Sequence, residues 1–171
     1  MRVLPVLLLA AVSACVPQRE APVQAPAPTP VAPPAPQPVA LGSDWRDWPF
    51  SPGTWTYRQD ARGSLALFGP AGQDAALTLR CDRAARQMYL SRAGIVATPL
   101  TIRTTSTMRT LAVQPTGGTP PYVALALAPR DPLLDAMVFS RGRFTLEQAG
   151  QRPLVVPAWA EVGRVIEDCR A

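Results

Sequence analysis

Nine prolines fall between Val16 and Ala40, in a stretch whose only charged residues are Arg19 and Glu20. Each proline fixes φ and removes a backbone donor, so no regular helix or sheet ladder runs through such a segment. Its remaining residues, many of them alanine, supply too little apolar bulk to bury a core, and the segment favours polyproline II. Residues 15–41 therefore read as a Pro/Ala-rich disordered tether. At ~3.1 Å per residue it is a semi-rigid spacer reaching at most roughly 75 Å. Proline-rich segments also serve as ligands, but this one lacks the basic flank of typical ligand motifs, and the spacer reading is preferred. What folds must come from residues 42–171, roughly 130 residues, which is enough for one domain with its own core.

The residues before the tether have the layout of a secretory signal. Met1-Arg2 supplies a positive charge, Val3 to Val12 is apolar apart from Pro5, and two small residues follow. The apolar run is too short for a membrane span, which needs ~20 residues. Val12-Ser13-Ala14-Cys15 resembles the lipobox of bacterial lipoproteins. The resemblance implies that residues 1–14 are removed as a lipoprotein signal peptide and that Cys15 becomes the first mature residue. Cys15 would then carry a diacylglyceryl thioether and usually an N-acyl chain such as palmitate. One acyl chain holds a protein only marginally, and two or three anchor it stably. The competing reading is an ordinary signal cut elsewhere, with Cys15 incidental. In the lipoprotein class, Asp after the cysteine often retains proteins at the inner membrane. Val16 leans instead toward the outer membrane, with the domain facing the periplasm.

The chain has no Lys, His or Asn, and all 17 basic residues are Arg. Without His there is no Ser-His or Cys-His catalysis and no His-ligated zinc. Without Lys there is no Ser-Lys dyad, Schiff base or P-loop lysine. Neither G-x-G-x-x-G nor G-x-S-x-G occurs, and nothing points to a cofactor or a metal. Carboxylate chemistry survives, as in glycoside cleavage, which typically needs two acids or one raised acid in a cleft. The candidates are Asp135, Glu147, Glu161 and Glu167. Most sit beside Arg or on polar helix faces, where charge pairing accounts for them, so the expectation is a protein that is not an enzyme. The net charge of +5 includes no run of basic residues, and an exported protein rarely meets nucleic acid. The charge reads as solvated surface.

Short apolar segments alternating with turn signals predict an antiparallel, mainly β (α+β) domain. The expected architecture is a β-sandwich or partly open barrel with two short helices, the last one C-terminal. Strands are expected at 54–58, 64–68, 75–81, 87–92, 100–104, 108–113, 122–127, 144–147 and 154–156. Residues 114–121 form a Gly/Pro-rich loop. Asp131 caps a short helix with Pro132 at its first position, and Ser140-Arg141-Gly142-Arg143 ends it. A last helix is expected over about 158–169, with Trp159, Val162, Ile166 and Cys169 on one stripe.

With Cys15 assigned to lipid, Cys81 and Cys169 remain as an even pair in an oxidising compartment. Both lie on apolar faces of their predicted elements. They form either a disulfide or two buried thiols, and the compartment favours the disulfide. Two cysteines without His leave a metal site short of ligands.

Two segments are candidates for binding. Asp44-Trp45-Arg46-Asp47-Trp48-Pro49-Phe50 is rich in the aromatic and arginine residues of interface hot spots. Its alternative is that Trp45, Trp48 and Trp55 cover one edge of the core. Arg141 and Arg143 place two like charges at a tight turn that can grip an anion, or that is simply solvated and paired with Asp131 or Asp135.

Over residues 75–169 the layout resembles small exported bacterial proteins of the invasion-associated locus B kind and accessory lipoprotein-like proteins of type VI secretion. In these a short C-terminal helix closes a mostly-β domain. The likeness rests on layout and the cysteine pair, has no specific motif and carries over no functional residue. The expectation is a lipid-anchored envelope protein presenting a non-catalytic periplasmic domain to an envelope protein or cell-wall partner, with no nucleic acid involved. The alternatives are an inhibitor of an exported hydrolase or protease, exposing a rigid loop such as 114–121, and a carboxylate-based cell-wall hydrolase.

Overall fold

Alternation of large apolar and polar residues builds the first sheet. The structure is a computed structural model that describes residues 41–171. The signal peptide, Cys15 and the tether up to Ala40 lie outside the described residues. Strands β1 (Thr54–Asp60), β2 (Gly63–Gly69), β3 (Leu77–Asp82) and β4 (Gln87–Ala93) follow one another as antiparallel neighbours. Strand β8 (Tyr122–Leu127) pairs with β4, and the two-residue β7 (Gln114–Pro115) pairs with β8, giving the order β1-β2-β3-β4-β8-β7. Residues 114–121, expected as loop throughout, thus contribute a short edge strand.

The register lines up the inward side chains in rows. Trp55, Phe68, Leu77, Arg92 and Val123 form one row, and Tyr57, Ala66, Leu79, Leu90 and Leu125 the next. Ser64, Cys81, Met88 and Leu127 form the third. The β1–β2 turn is held by Asp60 Oδ1, which accepts from the Arg62 and Gly63 amides at 3.0 and 3.1 Å. Gly63 is required there, because its φ is +148° and a Cβ would stand 2.4 Å from the Cys81 carbonyl oxygen.

The second sheet has the order β10-β9-β5-β6, from β5 (Leu100–Arg103), β6 (Met108–Leu111), β9 (Arg143–Gln148) and β10 (Leu154–Pro157). Its inward residues Leu100, Ile102, Phe144, Leu146 and Val156 join the apolar face of the first sheet in one buried core. Neither sheet closes on itself. The architecture is the expected mainly β sandwich with two helices.

Helix α1 (Pro132–Val138) begins as its sequence predicts, with Asp131 as N-cap accepting from the Leu133 amide at 2.9 Å and Pro132 in the first turn. Leu133, Leu134 and Met137 enter the core. Helix α2 (Ala160–Arg170) packs across β1–β4 and against α1. Its buried stripe is Val162, Val165 and Ile166. Trp159 does not belong to it. Strand β10 ends at Pro157, the Trp159 amide donates back to the Pro157 carbonyl at 3.1 Å in a tight turn at Ala158, and Trp159 takes the N-cap position in extended conformation, 47 % exposed. Cys169 is disulfide-bonded to Cys81 with the two Cα atoms 5.3 Å apart. Tyr57 Oη donates to Asp168 at 2.7 Å, and the Arg164 guanidinium lies 3.9 Å over the Tyr57 ring. The disulfide and this contact pin α2 to the first sheet.

Candidate functional site

The Ser140–Arg143 turn connects α1 to β9, and it is fixed from both sides. Ser140 Oγ accepts from the Thr105 amide at 3.1 Å and donates to the Arg143 carbonyl. The Arg141 amide donates to Thr105 Oγ1 at 3.2 Å. Gly142, with φ +76°, offers its carbonyl to the Ala158 amide at 3.4 Å. A turn held this firmly sets the direction of the side chains beside it. Phe139, at the end of α1, is 79 % exposed, Arg141 is exposed, and Trp159 follows directly on Ala158.

The segment before β1 reaches the same region. Arg143 Nη1 donates to the Trp48 carbonyl, and its guanidinium sits 4.2 Å over the Phe50 ring, a cation–π contact. Phe50 is 48 % exposed. The Trp48 indole is half-buried and donates to the Gly42 carbonyl at 2.6 Å. Ser51 brackets Val155, its amide donating to the Val155 carbonyl and its Oγ accepting from the Val155 amide, both at 2.9 Å. This lays the lead-in segment against β10. Trp45 is only 7 % exposed, so it packs at the edge of the fold and presents no ring to a partner.

Of the four residues expected to bind, Trp48 and Arg143 are joined to each other, and Arg141 is exposed and forms no ion pair among the described residues. Trp45 is buried. Sequence reasoning missed Phe139 as an exposed aromatic. A signal was present, since Leu133, Leu134 and Met137 mark the inward stripe of α1 and position 139 falls off it. Phe139 and Arg141 are exposed at this turn, and Trp159 is exposed next to Ala158, whose amide the turn binds; exposed aromatic rings and Arg are the side-chain chemistry that dominates protein interfaces.

The carboxylates have other surroundings. Glu147 accepts from Arg103 Nε and from Thr145 Oγ1, each at 2.9 Å, on the outer face of the second sheet. Asp135 is paired with Arg170 at 2.8 Å. Glu161 and Glu167 border an open groove with Tyr57, Val138 and Arg164. The 114–121 loop is exposed, and the Thr116 amide donates to the Tyr122 carbonyl at 2.9 Å across its base.

Among the described residues no three His, Cys, Asp or Glu gather as a metal site, and no helix is long and apolar enough to cross a membrane. No family model matches the chain, and no curated protein or solved structure matches it significantly.

Proposed function

We propose that this chain is a lipid-anchored cell-envelope protein whose domain binds a partner protein in the periplasm and performs no chemistry of its own. The tether holds the domain away from the membrane, and the partner docks on the surface formed by Phe139, Arg141 and Trp159. The observation that carries this reading is the exposure of Phe139 on a turn fixed by hydrogen bonds. Fully burying a large apolar side chain is worth roughly 1.5–3 kcal/mol, and a rigid turn loses little entropy when it is covered. Glu147 and Asp135 are both engaged by arginines, which favours a binding role over carboxylate catalysis. The lipobox-like Val12-Ser13-Ala14-Cys15 supports the anchor.

The test combines anchor and surface. Cys15→Ser is expected to abolish acyl labelling and release the chain from membranes. Phe139→Ser with Trp159→Ser is expected to leave labelling and folding intact and to abolish partner binding. A double variant that binds as before contradicts the reading.

A further inference from the structure

At the opposite end of α2, the turn from Asp82 to Gln87, the Ala128–Arg130 segment and the end of the helix enclose a cleft of about 360 Å³. Arg83, Arg86, Arg130 and Arg170 all line it, and no Asp or Glu side chain does. Arg170 is paired with Asp135 at 2.8 Å, and its Nε donates to the Pro129 carbonyl at 2.8 Å. Among the described residues Arg83, Arg86 and Arg130 form no ion pair. Asp168 acts electrostatically on Arg83 from the neighbouring hollow, while no acidic side chain lines the cleft beside Arg86 and Arg130. Like charges around one cleft repel, and an anion seated among them removes that repulsion.

The arginines stand on fixed supports. Asp82 is buried, accepts the Ala85 amide at 3.0 Å and is gripped by Arg62 at 2.6 Å. The Arg83 amide donates to the Arg62 carbonyl at 3.0 Å. Arg86 closes the turn with φ 52°, a left-handed conformation uncommon for a non-glycine residue. Cys81 immediately precedes this turn and Cys169 immediately precedes Arg170, so the disulfide joins the two walls of the cleft.

We infer that this cleft is a binding site for a phosphate-bearing anion. A planar carboxylate is satisfied by one guanidinium fork, whereas a tetrahedral phosphate offers oxygens to forks arriving from several sides. A phosphate monoester carries about −1.5 to −2 at neutral pH, a charge that Arg86 and Arg130 can meet together. Ala128 and Pro129 give an apolar wall for the organic part. The phosphate comes either from a soluble ester or from a phospholipid headgroup. The site is separate from the Phe139 surface and does not depend on it.

The experiment uses the full chain carrying Cys15→Ser, so that acylation contributes nothing. Backbone amide and arginine Nε–H resonances are followed in titrations with inorganic phosphate and with glycerol 3-phosphate, at ionic strength held constant with chloride. The same chain is sedimented with phosphatidylglycerol or phosphatidylcholine vesicles. Saturating shifts confined to residues 83–87, Arg130 and Arg170 are expected, with affinity at least tenfold weaker in Arg83→Gln/Arg130→Gln. Saturation by the soluble anions assigns the site to phosphate esters. Retention by phosphatidylglycerol vesicles alone, lost in the double variant, assigns it to a headgroup. The site is overturned if neither soluble anion saturates and neither vesicle is preferred, or if the response is undiminished in the double variant. It is also overturned if shifts spread equally to Arg58 and Arg152.

Discussion

The guanidinium of Arg92, on the inner face of β4, donates from Nη1 to the Leu146 carbonyl of β9 at 3.0 Å. Its Nη2 donates to the Arg152 carbonyl at 2.5 Å. One side chain thereby joins the two sheets. Arg92 is 5 % exposed, no carboxylate among the described residues pairs with it, and burial pulls its pKa below the ordinary arginine value. Arg92→Met removes the donor from the buried Leu146 carbonyl, a loss of about 1–3 kcal/mol for an unsatisfied buried group, and from the partly exposed Arg152 carbonyl. Urea unfolding is expected to shift to lower midpoint. Arg92→Lys is not expected to rescue it, because an ammonium does not present a planar fork. An unchanged midpoint in both variants refutes the bridging role.

The disulfide closes a loop with a sequence separation of 88. For that length the chain-entropy argument gives ~4–5 kcal/mol, and measured gains are often smaller. Replacing Cys81 and Cys169 with Ala is expected to lower stability by a few kcal/mol in denaturant unfolding. The variant should also expose α2 to limited proteolysis before the sheets are cut. Equal protease resistance in both proteins contradicts this assignment.

Asp60 is held at about 2, first by its hydrogen bonds from Arg80 and then by the Arg62 amide, against the opposing effect of burial. Asp82 is lowered in the same sense by the Ala85 amide and by Arg62. A carboxylate depressed in the folded state stabilises fully above its unfolded pKa of ~3.9 and loses that contribution as the pH falls through the folded value. The thermal midpoint is therefore expected to fall between about pH 4 and pH 2. Asp60→Asn should flatten that part of the profile, and an unaltered slope contradicts the assignment.

Asp131 does two jobs, capping α1 through the Leu133 amide and pairing with Arg109 at 2.5 Å. Asp131→Ala removes both, and loss of a cap costs about 0.5–2 kcal/mol. Asp131→Asn keeps the cap and removes the ion pair, which is worth at most about 1 kcal/mol at a partly exposed site. Thermal unfolding is expected to rank the wild type first, Asn second and Ala last. A reversed order for the two variants refutes the cap as the larger contribution.

Local signals were legible where chemistry and period agree. Val123, Leu125 and Leu127 alternate cleanly, and β8 spans the expected residues. Asp131-Pro132 marks the start of α1 because an acceptor and a missing donor both suit a helix N-terminus. Non-local relations were not legible. β5 pairs with β9 across more than forty intervening positions, and nothing in either strand encodes that choice. Arg92 occupies an inward position because two distant carbonyls receive it, and no alternation pattern reveals this. Trp159 lies at helical spacing from Val162 and Ile166, yet it stands one residue before the helix begins. The arginine cleft draws on three separate segments, so its residues look like scattered surface charge in the sequence.

We propose that a partner protein docks on the surface around Phe139. Photo-crosslinking in living cells checks this docking, with the crosslinker at Phe139 and, as a control, at the exposed Gln73 between β2 and β3. One discrete adduct is expected from position 139 and none from position 73, and the adduct is expected to be lost when Trp159→Ser and Arg141→Ala are introduced. No adduct from position 139, or the same adducts from both positions, contradicts it.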